Sequence, residues 1–266
     1  MTSTEKQMKG TLKTFTDWWF AEHSTGDWTT AIPEDLRDYR DYLVSRQYAP
    51  ATIRRHLLRL RQIFEIRGLG DPTQGIKSPS EAPLQPQSLG RNEKNALLRA
   101  IAQRPRIGQR MRDMAIAQLM LHAGLRTEEV LELSPRDVIL NPRSGEAKIH
   151  GKGNKMRTVP LNKTVREALT AWMAHAKIPA DASTPLFPIA DRTIRKNFDL
   201  YATAAGVSTF HVHMLRHTCA HDLIQQGVAL PTVASLLGHQ SLHTTFRYTI
   251  PALDDLQKAV NKLVIE

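Results

Sequence analysis

The sequence predicts a mainly α-helical protein with one small β-sheet, built as two domains. Apolar residues recur at helical spacing through most of the chain, and only residues 146–161 contain two short strand-like runs around a turn. A passage rich in proline and polar residues, 78–89, interrupts the helical pattern and is typical of a linker. We therefore expect a small helical domain over residues 1–77 and a larger domain over residues 90–266.

The N-terminal part predicts three helices. One covers residues 5–22, the second begins at Pro33, and the third begins at Pro50 and ends before Gly68. The third helix is basic, since the segment from Arg46 to Arg67 contains six arginines and one acid. Its arginines form either a solvated charged face or a face that binds DNA. The candidate DNA contacts here are Thr52, Arg54, Arg55 and Arg59.

The C-terminal part predicts further helices on both sides of a β-hairpin. In the hairpin, the runs KIH and RTVPL flank a turn that contains Gly-Asn, a pair favoured in tight turns. Lys152, Lys155 and Arg157 then lie at or near the tip of the hairpin, and Lys155 and Arg157 are candidate DNA contacts. The helices predicted around it are 93–102, 112–123, 126–133, 163–176, 192–205, 213–226 and 231–237.

The charge of the chain indicates an anionic partner. Lys and Arg number 36 against 26 Asp and Glu, a formal charge of +10, which favours nucleic acid although solubility alone could also explain it. The single cysteine excludes an intrachain disulfide and fits a reducing compartment. The first ten residues lack the apolar run of a signal peptide, and no segment is apolar enough to cross a bilayer. We expect a cytoplasmic protein with no membrane partner.

The segment HVHMLRH, residues 211–217, could hold either a metal or a phosphate. On a helix, His213, His217 and His221 share one face, which could bind zinc. The metalloprotease pattern requires Glu directly after the first His, and Met214 stands there instead. Arg216 is unfavourable beside a metal cation and favourable beside an anion. The balance favours phosphate.

Four motifs carry residues that could together catalyse a reaction at a phosphodiester. Each motif alone is a weak signal. They are GLRTEE at 124–129, GKGNK at 151–155, HMLRH at 213–217 and LGHQSLHTTFRYT at 237–249. Two arginines could neutralise charge that develops on phosphorus, and a tyrosine oxygen could attack it to form a covalent ester. A histidine could accept the tyrosine proton, and a lysine on the hairpin could protonate the leaving oxygen. The set needs no metal, ATP or other cofactor.

These motifs, in this order, resemble those of the tyrosine recombinase (phage integrase) family, and closely its Xer-type and small integrase members. The resemblance is strongest from about residue 90 to residue 250, and the Tyr stands nine residues after the His of the Gly-His pair. The family's catalytic positions fall on Arg126, Lys152, His213, Arg216, His239 and Tyr248.

The resemblance implies a recombinase that clamps double-stranded DNA at an inverted-repeat core site and forms a 3′-phosphotyrosyl intermediate. It implies a helical N-terminal DNA-clamping domain, a tetramer in the synaptic complex, and a C-terminal helix that docks on a neighbouring subunit. A second recombinase or an accessory protein could take part, as in some relatives. The resemblance implies a prokaryotic, cytoplasmic protein that associates with the nucleoid when it acts.

Some positions depart from the family pattern or have competitors. Glu128 stands where the family often has Ser, and Val212 stands where it often has Pro. Glu129 matches the family's acid, and we expect it to orient Arg126. Lys155 competes with Lys152, and His243 with His239. Arg195 is a candidate DNA-backbone contact on a helix that could equally be a solvated face.

Three other functions remain open from the sequence. A type IB topoisomerase would use the same chemistry to relax DNA, but the small helical N-terminal part and the Xer-like motifs argue against it. A DNA-binding accessory protein would have lost cleavage, which the complete catalytic set argues against. A zinc enzyme built on His213, His217 and His221 is the least favoured.

Overall fold

The structure, a computed structural model, describes residues 3–23, 26–79, 87–151 and 155–238. The chain divides into two compact units, Met1–Leu84 and Gln85–Glu266. Helices dominate both, and the described strands form one small sheet in the second unit. The predicted fold class is therefore confirmed. Among the described residues, no helix has the length and apolar character needed to span a bilayer.

The N-terminal unit consists of α1 (Ser3–Glu22), α2 (Pro33–Ser45) and α3 (Pro50–Ile66), with a short 3₁₀ turn at Trp28–Thr30. Proline begins both α2 and α3, where its fixed φ fits the first helical turn and its missing N–H costs no hydrogen bond. Each helix turns an apolar face inward. Aromatic rings fill much of the core between these faces, including Phe15, Trp18, Trp19, Tyr39 and Phe64.

The second unit is built around one central helix, α5 (Ile107–His122). Residues 115–121 of α5 are all buried, because α4, α7 and α9 pack around the helix. The described elements of this unit, in chain order, are α4 (Arg91–Ala102), α5, α6 (Thr127–Glu132), a 3₁₀ turn (Pro135–Asp137), β1 (Val138–Leu140), β2 (Gly145–Gly151), β3 (Lys155–Pro160), α7 (Lys163–Ala176), α8 (Asp191–Ala204), α9 (His213–Gln225) and α10 (Leu230–Leu237).

A buried polar network joins α5 to α8. Asp113 accepts a hydrogen bond of 2.8 Å from Arg112, one of 3.1 Å from Asn197 and one of 2.5 Å from the Tyr201 hydroxyl. Its carboxylate is 1% exposed, so these donors replace the water that burial removes. Burial, together with the bond to this carboxylate, raises the pKa of Tyr201 to about 12. The network fixes α8 against the central helix.

The sheet is antiparallel with strand order β1-β2-β3. The predicted hairpin is present, with Ala147 opposite Val159 and Ile149 opposite Arg157, although its turn at 152–154 lies outside the described residues. β1 was not predicted, because a strand of three residues is too short for an alternating pattern.

Helix α5 begins five residues earlier than the sequence predicts, at Ile107 in place of Arg112. Gly108 lowers the helix propensity of residues 107–111, so the sequence alone does not predict a helix there. In the structure, the helix packs on α7 here, and a β-carbon at Gly108 would lie 3.0 Å from the ring of His175. Tertiary packing therefore overrides the local propensity.

Candidate active site

Arg126 lies between α5 and α6, at the residue that precedes the first turn of α6. Its Nη1 donates a hydrogen bond of 2.8 Å to Glu129 Oε1, and its backbone N–H donates one of 2.8 Å to Glu129 Oε2. Nη2 lies 3.5 Å from the carbonyl oxygen of Gly238. The side chain remains 37% exposed, so a ligand can still reach the guanidinium.

Glu129 joins the arginines of the site. Both of its carboxylate oxygens accept hydrogen bonds from Arg126 and from Arg157, and Arg216 Nη1 lies 3.7 Å from Oε2. Burial would raise the pKa of this carboxyl group, but the hydrogen bonds and charges of Arg157 and Arg126 outweigh burial and lower the pKa to about 2. Glu129 is therefore ionised at neutral pH and can orient Arg126, as the sequence predicts.

Arg216 is on α9, and its side chain is only 5% exposed. Its Nη1 donates a hydrogen bond of 2.6 Å to the carbonyl oxygen of Gly124, and Nη2 donates one of 2.7 Å to that of Leu237. Gly124 follows the C-terminal end of α5, and Leu237 is the last residue of α10. Carbonyl groups at helix C-termini lack partners within the helix and favour positive charge. Arg216 therefore fixes the ends of two helices at one place.

Glycine is required at both of these helix ends. Gly124 has φ +65°, and a β-carbon there would lie 2.5 Å from Leu237 Cδ2. Gly238 has φ +64°, and a β-carbon there would lie 2.9 Å from Arg157 Nη1. Both residues thus combine a left-handed backbone with close contact to the neighbouring segment. The glycines of the first and fourth motifs allow these helix ends to approach the arginines.

The histidines of the third motif form a group at the start of α9. His213 is the first residue of the helix and is half-buried, one turn from Arg216. The rings of His211 and His217 meet edge to face, with centroids 5.9 Å apart. Burial, with smaller contributions from the charges of His211, His213 and Arg216, lowers the pKa of His217 to about 4. His217 is therefore neutral at neutral pH.

The structure does not support the zinc alternative. In the part of the chain that the structure describes, no group of three or more His, Cys, Asp or Glu side chains is arranged to hold a metal ion. His213, His217 and His221 all belong to that part. His221 instead lies 3.8 Å from the carboxylate of its neighbour Asp222.

Arg157 makes contacts within the site that the sequence does not predict. Both ends of its guanidinium bond to Glu129, at 2.8 Å each, and Nε donates a hydrogen bond of 3.1 Å to the carbonyl oxygen of Leu236. Its side chain is 16% exposed. The guanidinium of Arg157 is therefore bound within the protein, at a position where the sequence predicts a DNA contact. Strand alternation was the available signal, since Arg157 and the buried Val159 are two residues apart and point to the same side.

Three predicted catalytic residues, Lys152, His239 and Tyr248, lie outside the described residues. The chain positions that lead to two of them are described. Gly151 and Lys155 are paired at the ends of β2 and β3, on either side of the segment that contains Lys152. Gly238, the residue before His239, contacts both Arg126 and Arg157.

The predicted DNA contacts of the N-terminal unit lie on α3. Arg54 and Arg55 are exposed, and Arg55 bonds within its own helix to the carbonyl oxygen of Ala51 and to Thr52. Arg59 is half-buried, and its Nη2 donates a hydrogen bond of 2.6 Å to Gln7 on α1. The opposite side of α3 is buried in the core, so its arginines lie on the outer face.

Arg195 lies on α8 of the second unit and is 49% exposed. Its Nε donates a hydrogen bond of 2.8 Å to Asp191, four residues earlier. This ion pair on the surface of the helix holds the guanidinium but leaves it accessible to solvent.

Comparison with known proteins identifies the family. The phage integrase family matches residues 87–253. The tyrosine recombinase XerC of Staphylococcus haemolyticus is 32% identical over 239 residues, which cover 85% of this chain and 79% of that protein. XerC of Staphylococcus carnosus is 30% identical over 254 residues, 90% of this chain and 84% of that protein.

Solved structures share the fold. The XerH site-specific recombinase bound to a difH substrate, in a pre-cleavage complex, matches with a TM-score of 0.73 and 21% identity, over 92% of this chain and 76% of that chain. A lambda integrase (75–356) dimer bound to a COC′ core site matches with a TM-score of 0.70 and 16% identity, over 93% of this chain and 88% of that chain. The chain therefore belongs to the phage integrase family, the tyrosine recombinases.

Proposed function

We propose that this protein is a site-specific DNA recombinase that cuts and rejoins DNA strands through a 3′-phosphotyrosyl intermediate. The observation that carries the proposal is the convergence of Arg126 and Arg216. They come from motifs far apart in the sequence, yet both lie within hydrogen-bonding or ion-pair distance of Glu129 and of the last residues of α10. The two arginines thus meet at Leu237 and Gly238, the residues that precede His239 in the sequence.

The charge of this cluster fits a phosphodiester. Arg126, Arg157 and Arg216 surround the single carboxylate of Glu129, so positive charge is in excess. Glu129 is ionised, and its hydrogen bonds hold the guanidiniums of Arg126 and Arg157 in place, while its one negative charge cannot neutralise three positive charges. Groups that are positioned before the reaction stabilise charge that develops on phosphorus without reorganising during the step.

Each catalytic residue has a role in the proposed reaction. The Tyr248 oxygen attacks the scissile phosphorus, its proton passes to His213, and the bond from phosphorus to the 5′-oxygen breaks. Lys152 protonates that 5′-oxygen, while Arg126, Arg216 and His239 hold the non-bridging oxygens. The 5′-hydroxyl of a partner strand then attacks the phosphotyrosine and releases Tyr248. The number of phosphoester bonds is conserved, so the exchange needs no ATP.

The proposal extends to DNA binding and assembly. Residues 1–77 form a helical domain that clamps duplex DNA against the catalytic domain, 90–266, with 78–89 as the linker. The exposed arginines of α3 and Arg195 of α8 support contact with the DNA backbone. The protein acts in the cytoplasm as a tetramer on two inverted-repeat core sites. The XerH and lambda integrase structures named above are complexes with DNA.

The covalent step is tested with a DNA duplex that carries a nick next to the cleavage site, so that the released strand diffuses away and the adduct accumulates. The wild type should form a protein–DNA adduct that survives denaturation. Tyr248→Phe removes only the attacking oxygen and should bind DNA with unchanged affinity while forming no adduct. An adduct that persists in this variant would rule out Tyr248 as the nucleophile.

Assembly is tested by deleting the residues after Pro251, which lie outside the described residues. In the sequence, Leu253, Leu256, Val260 and Leu263 fall on one helical face. The truncated protein should bind a single site but fail to pair two sites in a synaptic complex. Recombination at the wild-type rate would contradict a role of this segment in assembly.

A further inference from the structure

Arg157 joins three segments of the site. It lies on β3 opposite Ile149, on the side of the strand that faces the core. Its guanidinium binds both carboxylate oxygens of Glu129, and its Nε binds the carbonyl oxygen of Leu236 in the last turn of α10. The hairpin, α6 and α10 therefore meet at this one side chain.

The contact with α10 extends to the residue before His239. A β-carbon at Gly238 would lie 2.9 Å from Arg157 Nη1, 3.0 Å from Cζ and 3.1 Å from Cδ. The side chain of Arg157 thus lies against the backbone of Gly238 and fixes where this backbone passes.

The contact with Glu129 also controls Arg126. Glu129 uses the same two oxygens to bind the side chain and the backbone N–H of Arg126. A paired, planar contact from Arg157 holds the plane of the carboxylate, because two parallel hydrogen bonds fix an orientation that one bond leaves free. Without Arg157, the carboxylate could rotate and draw the Arg126 guanidinium away from a ligand.

We propose that Arg157 is a positioning residue of the recombination site: it orients Arg126 through Glu129 and sets the backbone that leads to His239, and it does not contact DNA. The inference rests on the proposed function. Through Arg157, the strand that follows Lys152 is attached to the arginine cluster.

The test compares Arg157→Met with Arg166→Met on the nicked duplex. Arg166 is a suitable control because it also bonds to backbone carbonyls beside the hairpin, those of Leu161 and Pro142, and has no bond to Glu129. Two quantities are measured: the single-turnover rate of adduct formation at saturating protein, and the slope of log affinity against log salt concentration. Arg157→Lys, which retains charge and one donor group, is a milder variant should Arg157→Met not fold.

We expect Arg157→Met to slow adduct formation about 10²-fold, as a small misplacement of reacting groups can. Its salt slope should equal that of the wild type, because no phosphate contact is lost. Arg157→Lys should be intermediate in rate, and Arg166→Met should react as the wild type does.

Two results would overturn the inference. One is adduct formation at the wild-type rate in Arg157→Met. The other is a salt slope smaller by about 0.9, the change expected when one phosphate contact is lost, which would make Arg157 a DNA contact. A wild type that forms no adduct on any nicked duplex would instead overturn the proposed function and this inference with it. The two failures are therefore distinguishable.

Discussion

The guanidinium of Arg216 donates a hydrogen bond of 2.6 Å to the carbonyl oxygen of Gly124, ninety-two residues earlier in the chain. This bond links the third motif to the first. It exists because α5 ends at a left-handed glycine, which allows α10 to pack against the helix end. The position of Arg216 thus depends on a residue that has no side chain.

Gly124→Ala should destabilise the second unit and slow adduct formation. The left-handed backbone alone costs a residue with a β-carbon about 1–2 kcal/mol. The contact at 2.5 Å with the buried Leu237 adds about 1–3 kcal/mol, because the packed core must shift. Urea denaturation and adduct formation on nicked DNA check both effects.

Gly206→Ala is the matched control, because Gly206 has φ +72° and a β-carbon there would meet nothing within 4 Å. Gly206→Ala should lower the free energy of unfolding only by the cost of the left-handed backbone, and it should cleave DNA as the wild type does. Equal destabilisation by the two substitutions would mean that the close contact with Leu237 contributes nothing.

Glu129 should make stability depend on pH in acid. Its pKa is about 2 in the folded protein against a usual 4.5, so its contribution is complete above about pH 4.5 and is lost as pH falls towards 2. The shift corresponds to a contribution on the order of 1–3 kcal/mol. The difference in unfolding free energy between wild type and Glu129→Gln should therefore shrink between pH 5 and pH 2, as measured by urea denaturation at each pH. Glu132→Gln, which changes an exposed acid at the end of the same helix, should show no such trend.

Arg54→Gln should weaken DNA binding mainly at low salt. Arg54 is exposed on the outer face of α3, and loss of one phosphate contact lowers the slope of log affinity against log salt by about 0.9. Cleavage at saturating protein should be unchanged, because the site lies in the other unit. Arg37→Gln removes an equally exposed arginine that pairs with Glu34 on α2, and should leave the slope as in the wild type. An unchanged slope in Arg54→Gln would remove α3 from the DNA-binding surface.

Much of the fold follows from the sequence because its helices have clear apolar faces. The predicted boundaries of α7 agree with the structure, those of α9 and α10 differ by one residue at one end, and those of α8 differ by one residue at both ends. β1 escaped prediction because three residues carry no periodic signal. The early start of α5 escaped it because Gly108 hides a turn that tertiary packing stabilises.

The site was predictable in part. The ion pair of Arg126 with Glu129 was expected from the resemblance to the family, and the structure contains it. The carbonyl partners of Arg216 did not follow, because backbone groups of distant helix ends leave no trace in residue type. The bonds of Arg157 to Glu129 and Leu236 did not follow either, because a basic residue near a hairpin tip looks solvent-facing when the alternation of the strand is not considered.

Glu128 offers a test of a residue that departs from the family pattern. Its exposed carboxylate stands two residues after Arg126, and its charge acts on Arg195 of α8. If Arg126 and Arg195 both face DNA, the acid between them repels phosphate. Glu128→Gln should then tighten DNA binding several-fold at low salt. The gain in affinity should decrease as salt screens the charge. Binding titrations at two salt concentrations measure this. Glu167→Gln removes an equally exposed charge on α7 and should change affinity much less. Equal gains from the two substitutions would show a general effect of net charge, and Arg126 and Arg195 would then not share a DNA-facing surface with Glu128.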